Sequence, residues 1–189
     1  MAGSRDYGMK LDAYRDLIDR KIRLMDGSTV LNGSAEHAAV INERMLASAT
    51  KSVDIISRRL AKEVYGTEPL VREAERFLSD SERKLRISVE EMDGATAAEH
   101  PLLSKILHSQ NAEVRVLPKR FHEICQLNMT LMDGNSYRFE SDKTKPVAVV
   151  CFGDKGEYIK GLQYYFDAVW LASEPLDRQL QLRLADAEE

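Results

Sequence analysis

Four histidines, two cysteines and a few clusters of charge are the side chains of this sequence with chemistry to offer. His37, His100, His108 and His122 are scattered, with no nucleophile or metal-ligand partner at a fixed spacing. Each reads as a surface or capping histidine. His122 stands somewhat apart because it closes Lys119-Arg120-Phe121-His122, a basic loop able to hold an anion; the plainer alternative is a solvated turn behind Pro118. Glu90, Glu91 and Asp93 lie close enough to suggest a divalent cation, but no further ligand follows at a recognised spacing. No metal site is expected, and the three carboxylates read as a solvated loop. The remaining basic groups, Arg58-Arg59 and Arg20, Lys21 and Arg23, have the character of solvated helix and loop charges. Asp133-Gly134 reads as a turn in which the carboxylate accepts backbone N–H groups. Cys125 and Cys151 sit in apolar surroundings without a CxxC or Cys/His pattern. A disulfide framework and a structural zinc are therefore not expected, and a reducing, cytoplasmic setting is.

The elements that would have to position these groups can be read from hydrophobic period. Leu11, Tyr14, Leu17, Ile18, Ile22 and Met25 recur at three and four, which predicts an amphipathic helix. Val30-Leu31 is a brief extended piece, and Ser34 is the expected N-cap of a second helix carrying Ala38, Ile41, Met45 and Leu46 inward. Residues 52–57, 85–89 and 113–117 are short β-branched runs separated by helical spacing, the first two by a helix opening near Pro69, the last two by one expected over 101–108. Beyond Pro118 the pattern changes. Leu127–Met132 and Tyr137–Glu140 flank the Asp133-Gly134 turn as a hairpin, residues 146–153 form an apolar strand, and 157–172 a closing helix. This order predicts an α/β fold, a mixed β-sheet flanked by helices.

With 189 residues, 43% hydrophobic and 31% charged, the chain has room for one domain with its own core. Its N-terminal decapeptide is too charged for a secretory signal, and no apolar run is long enough to span a bilayer. A net charge of -4 argues against a tight grip on nucleic acid.

The order of elements, together with the wording around Asp133-Gly134, resembles one half domain of the phospholipase D-like superfamily over roughly residues 35–175. In that superfamily a strand bearing H-x-K-x-x-x-x-D is followed by Gly, a hairpin, a strand and a long helix. Asp133-Gly134 matches the end of the motif, but Gln126 occupies the His position and Asn128 the Lys position. The resemblance implies a phospholipase D-like domain over 35–176; outside it, the apolar stripe of the first helix is expected to dock an N-terminal helical extension over 1–34 on that core or on a partner chain, and 177–189 to form a helical or frayed tail. The resemblance also implies that chemistry has been lost. The family's reaction needs His as nucleophile and Lys to neutralise the phosphoryl oxygens, and an amide does neither.

The expectation is therefore a catalytically inactive binding or regulatory module with no catalytic residue and no cofactor. It would recognise a small ligand, an anionic one included, or a protein partner. The expected vestigial ligand site comprises Gln126, Asn128, Asp133, His122 and Arg120. Two other functions stay open at this point: a phosphodiesterase or nuclease whose active site has moved to His122 or Glu90-Glu91, and a DNA-associated regulator, although no helix-turn-helix signature stands in the N-terminal region. Because superfamily halves meet along the motif strand, the resemblance further implies a homodimer with Leu127, Met129, Leu131 and Met132 near its interface.

Overall fold

The computed structural model describes residues 10–142 and 147–176. The elements are α1 (Leu11–Leu24), β1 (Thr29–Asn32), α2 (Ala35–Ser48), β2 (Ser52–Ser57), α3 (Lys62–Tyr65), α4 (Glu68–Leu78), β3 (Lys84–Val89), α5 (Gly94–Ala98), α6 (Leu103–Ile106), β4 (Ala112–Val116), β5 (Asn128–Met132), β6 (Ser136–Glu140), β7 (Ala148–Phe152), α7 (Glu157–Ala172) and β8 (Glu174–Pro175). The strands form one mixed sheet in the order β1-β7-β6-β5-β2-β3-β4-β8. β2, β3 and β4 run parallel, joined by the helical crossovers that parallel pairing requires. β5 enters on the other side of β2, antiparallel to it, and leads into the β5–β6–β7 meander. The proposed tail, 177–189, lies outside the described residues.

Alternation along the strands assigns each face to a helical layer. Val53 and Ile55 of β2, Ile87 of β3, Val114 of β4 and Val150 of β7 join the core beneath α1, α2, α4 and α6. Ile56, Met129, Leu131, Tyr137 and Cys151 point the other way, under Leu162, Phe166 and Trp170 of α7. The result is a three-layer α/β/α stack with β5 central in the sheet. That position corrects the expected dimer surface. Met129 and Leu131 are covered by α7 and Met132 joins the opposite core, all three buried within one chain; half-buried Leu127 packs at the edge of the α7 cluster.

Local chemistry explains several element ends. Ser34 caps α2, its hydroxyl accepting from His37 N–H at 3.1 Å, and Asp93 caps α5 through Thr96 N–H at 2.8 Å. Asp133 and Gly134 both have positive φ, 52° and 69°, as a tight hairpin turn demands. The expected helix over 101–108 shrinks to the single turn α6, and Leu60 sits in a left-handed turn at φ 51°. α1 packs on α2 through Tyr14 and Ile18, both fully buried. The turn after α1 is fastened to the end of β7: Gly27 N–H donates to Phe152 O at 2.9 Å. Gly153, at φ +81°, leaves no room for a side chain, since a Cβ there would lie 2.2 Å from Met25 O.

Candidate functional site

β5 is antiparallel to β2, so its first residue reaches the edge of the sheet where β2, β3 and β4 end. At that edge two sets of polar side chains lie side by side. The first is a row across β5, β6 and β1. Asn128 accepts Arg58 N–H at 3.0 Å and donates through Nδ2 to Glu140 Oε2 at 2.7 Å. The second Glu140 oxygen accepts from Arg138 Nη2, and Arg138 donates through Nε and Nη2 to Asn32 Oδ1 at 2.9 and 2.8 Å. Asn32 in turn donates to Ser34 O at 2.8 Å. Beside the row, Thr130 donates to Asn42 Oδ1 at 2.7 Å, and burial pushes the neighbouring Tyr65 phenol well above its ordinary pKa. Arg138 is 2% exposed and Glu140 7%, so the ion pair is internal and its partners hold each other.

The second set lines an open cleft of about 810 Å³ between the turn leaving β3 and the loop leaving β4. The chain must pass from β4 back across the ends of β3 and β2 to start β5, and this return over the strand ends makes the cleft, as in other open α/β sheets. Glu90, Glu91, Asp93 and Thr96 form one wall, and Leu117, Pro118, Lys119 and His122 the other. Arg58 links the two sets: its backbone holds Asn128 while its guanidinium pairs with Glu91 at 2.7 Å. His122 Nε2 lies 2.8 Å from Leu117 O, and because a carbonyl only accepts, Nε2 carries the proton.

The expected ligand site is thus only partly assembled. Gln126 is exposed in the loop and donates to Glu123 O. Arg120 is exposed, its guanidinium 4.8 Å from the centre of the Phe121 ring, and it does not line the cleft. Asp133 lies at the far end of β5, about 17 Å from Asn128 at 3.4 Å per residue. There Oδ1 accepts Lys51 and Ser52 N–H at 2.8 and 2.9 Å, and Oδ2 accepts the N–H and hydroxyl of Thr50 at 2.8 and 2.9 Å. His122 and Lys119 do meet Glu90, Glu91 and Asp93, whose loop is a cleft wall rather than a fully solvated turn. Two histidines read as surface or capping groups are buried: His37 stacks on Tyr14 at 3.9 Å, and His100, 1% exposed, accepts Leu102 N–H at 3.2 Å. The residues missed were Glu140, Arg138 and Asn32. A signal for two of them was present, because pairing about Gly134 puts Asn128 opposite Glu140 and Thr130 opposite Arg138.

Residues 34–182 match the family described as Domain of unknown function (DUF7931). The chain belongs to this family. No curated protein sequence matches it. Solved structures extend the picture to the fold of the DUF7931 domain. NucT from Helicobacter pylori is 12% identical with a TM-score of 0.59, the match covering 79% of this chain and 99% of NucT. Nuc from Salmonella typhimurium, a phospholipase D family member, gives 12% and 0.57, covering 79% and 98%. The archaeal chromatin protein TrmBL2, whose structure shows a novel mode of DNA binding, gives 13% and 0.58, covering 86% of this chain and 60% of that one. This chain thus spans about three fifths of TrmBL2. The DUF7931 domain has a phospholipase D-like fold. No helix among the described residues is long and apolar enough to cross a membrane.

Proposed function

We propose that this DUF7931 domain is a phospholipase D-like binding and regulatory module that does not cleave phosphodiesters, and that what it recognises is another protein chain. The observation carrying this reading is the closed row at the start of β5. Where the superfamily resemblance calls for a His and a Lys directed at phosphate, Gln126 is turned onto its own loop and Asn128 is consumed by Arg58 N–H and Glu140. Among the described residues the buried guanidinium nearby, Arg138, is held by Glu140 and Asn32. A phosphoryl group would find neither a nucleophile nor a waiting cation there. The adjoining cleft carries three carboxylates against one lysine and one histidine, which disfavours a small anion. Protein recognition is supported by large apolar side chains left in the open, Ile124, Tyr164 and Leu171 being 73%, 80% and 81% exposed.

The test is direct. The purified chain, incubated with bis-(p-nitrophenyl) phosphate and with single- and double-stranded DNA in the presence of EDTA, is expected to give only the background rate. Inorganic phosphate is expected to leave its melting temperature unchanged. Robust metal-independent cleavage would overturn the non-catalytic reading, and saturable stabilisation by phosphate would overturn the preference for a protein ligand.

A further inference from the structure

We propose that the outward face of α7 is a self-association surface whose occupant is a second copy of this chain, packed antiparallel about a two-fold axis near Tyr164. The inference rests on the reading of the domain as a protein-binding module and names its partner. α7 buries Ile159, Leu162, Phe166, Val169 and Trp170. Its opposite side runs through Glu157, Gly161, Tyr164, Ala168 and Leu171, all exposed, at the alternating three and four that make a helix–helix seam. A solvated helix face is ordinarily charged along its centre. Here Tyr164 and Leu171 are about four-fifths exposed; Glu157 charges only the first turn of the seam, and Lys160 and Asp167 stand to one side.

The arrangement of those side groups fits this seam to its own copy in one direction. At 100° per residue, Gly161 and Ala168 flank Tyr164 on one edge, and Lys160 and Asp167 flank it on the other. A two-fold axis perpendicular to two antiparallel helices sets each edge against the same edge reversed. Gly161 then faces Ala168 of the partner subunit, small against small, so the backbones can approach closely. On the other edge Lys160 faces Asp167 of the partner subunit, twice over. Tyr164 meets its own copy at the axis, and Leu171 lies opposite the aliphatic stem of Glu157 of the partner subunit. Parallel packing about a two-fold axis would instead set each edge against the opposite one, Lys160 beside Gly161 of the partner subunit and Asp167 beside Ala168 of the partner subunit, so neither charge would meet a counter-charge. Charge complementarity therefore selects the antiparallel pair. The present partners of these groups, Glu157 for Lys160 and Arg86 for Asp167, are on the same chain and leave both side chains at least half exposed or nearly so, 68% and 49%.

Light scattering of the full chain at tens of micromolar is expected to give the mass of a dimer, and Tyr164→Asp the mass of a monomer with an unchanged melting temperature. Lys160→Asp is expected to weaken the dimer, and the exchange Lys160→Asp with Asp167→Lys to restore it. A single cysteine distinguishes the geometry. Tyr164→Cys, next to the axis, is expected to cross-link to its copy on mild oxidation, whereas Leu171→Cys, about 10 Å along the helix from the axis on each chain, is not. Native Cys125 and Cys151 are buried and give a low background. A monomeric wild-type chain, a dimer indifferent to Tyr164→Asp, or equal cross-linking at 171 would each overturn the proposal. A monomer without phosphodiesterase activity would sink this surface alone and leave the non-catalytic reading standing; a dimer with turnover would do the reverse.

Discussion

The two ends of β5 handle polar chemistry in opposite ways. At one end Asp133 accepts four hydrogen bonds from Thr50, Lys51 and Ser52, fastening the hairpin turn to the start of β2. At the other, Asn128 begins a buried chain through Glu140 and Arg138 to Asn32. At the Asp133 end the turn could be recognised from sequence, although the groups its carboxylate holds lie 81–83 residues away. The Asn128 end is built from side chains on three strands, whose members hydrogen-bond to one another.

Removing Glu140 is expected to have the largest effect on that contrast. Glu140→Ala leaves Arg138 buried without its counter-charge, which costs about 3–5 kcal/mol, and thermal unfolding should show a drop of roughly 10 °C. Asp133→Ala comes next, at about 2–3 kcal/mol for the lost bonds to a charged acceptor, read from urea midpoints. Equal losses in the two variants would erase the distinction between a buried pair and a partly solvated clamp. A smaller effect is expected from pH, at a third place in the fold. Burial lowers the pKa of His100, against the raising influence of the Leu60 carbonyl. Leu60 O accepts from Nε2 at 2.7 Å, and Leu102 N–H donates to Nδ1 at 3.2 Å, so the neutral ring is fully used and a second proton would displace the Leu102 bond. The unfolded chain binds that proton more readily than the folded one. Stability should therefore be fully present above about pH 6.5 and decline as pH falls through that value; His100→Asn should flatten this part of the melting-temperature profile. The smallest change is expected from Gln126→His with Asn128→Lys. Restoring the motif letters should leave phosphodiester cleavage at background, since Glu140, Arg138 and Asn32 still fill the row.

Much of this fold was legible because hydrophobic period and turn chemistry are local. β2, β3, β4, the hairpin and α7 lie within a few residues of their expected positions, and Ser34 caps α2 as read. What escaped is the direction in which polar side chains face. Tyr137-Arg138-Phe139-Glu140 alternates, and the usual assumption turns Arg138 and Glu140 to water. They point inward because α2 and β1 bring Asn42 and Asn32 to the same face, which depends on packing between segments about 100 residues apart, as the 106-residue separation of Arg138 and Asn32 shows. His37 and His100 escaped for the same reason. Met129, Leu131 and Met132 were placed at an interface by analogy, whereas α7 and α2 of the same chain cover them.

The link between the turn after α1 and the end of β7 bears on how the chain is made. Gly27 and Cys151, joined by a thiol–carbonyl contact, are 124 residues apart, and among the described residues β1 pairs with β7 alone. During synthesis at 5–20 residues per second, β1 emerges early and waits about 6–25 s for its neighbour. Throughout that interval the apolar stripe of α1 and the open edge of β1 have no finished sheet to join. β1 is thus made well before the strand it pairs with, and its open edge stays a template for wrong pairing until β7 arrives.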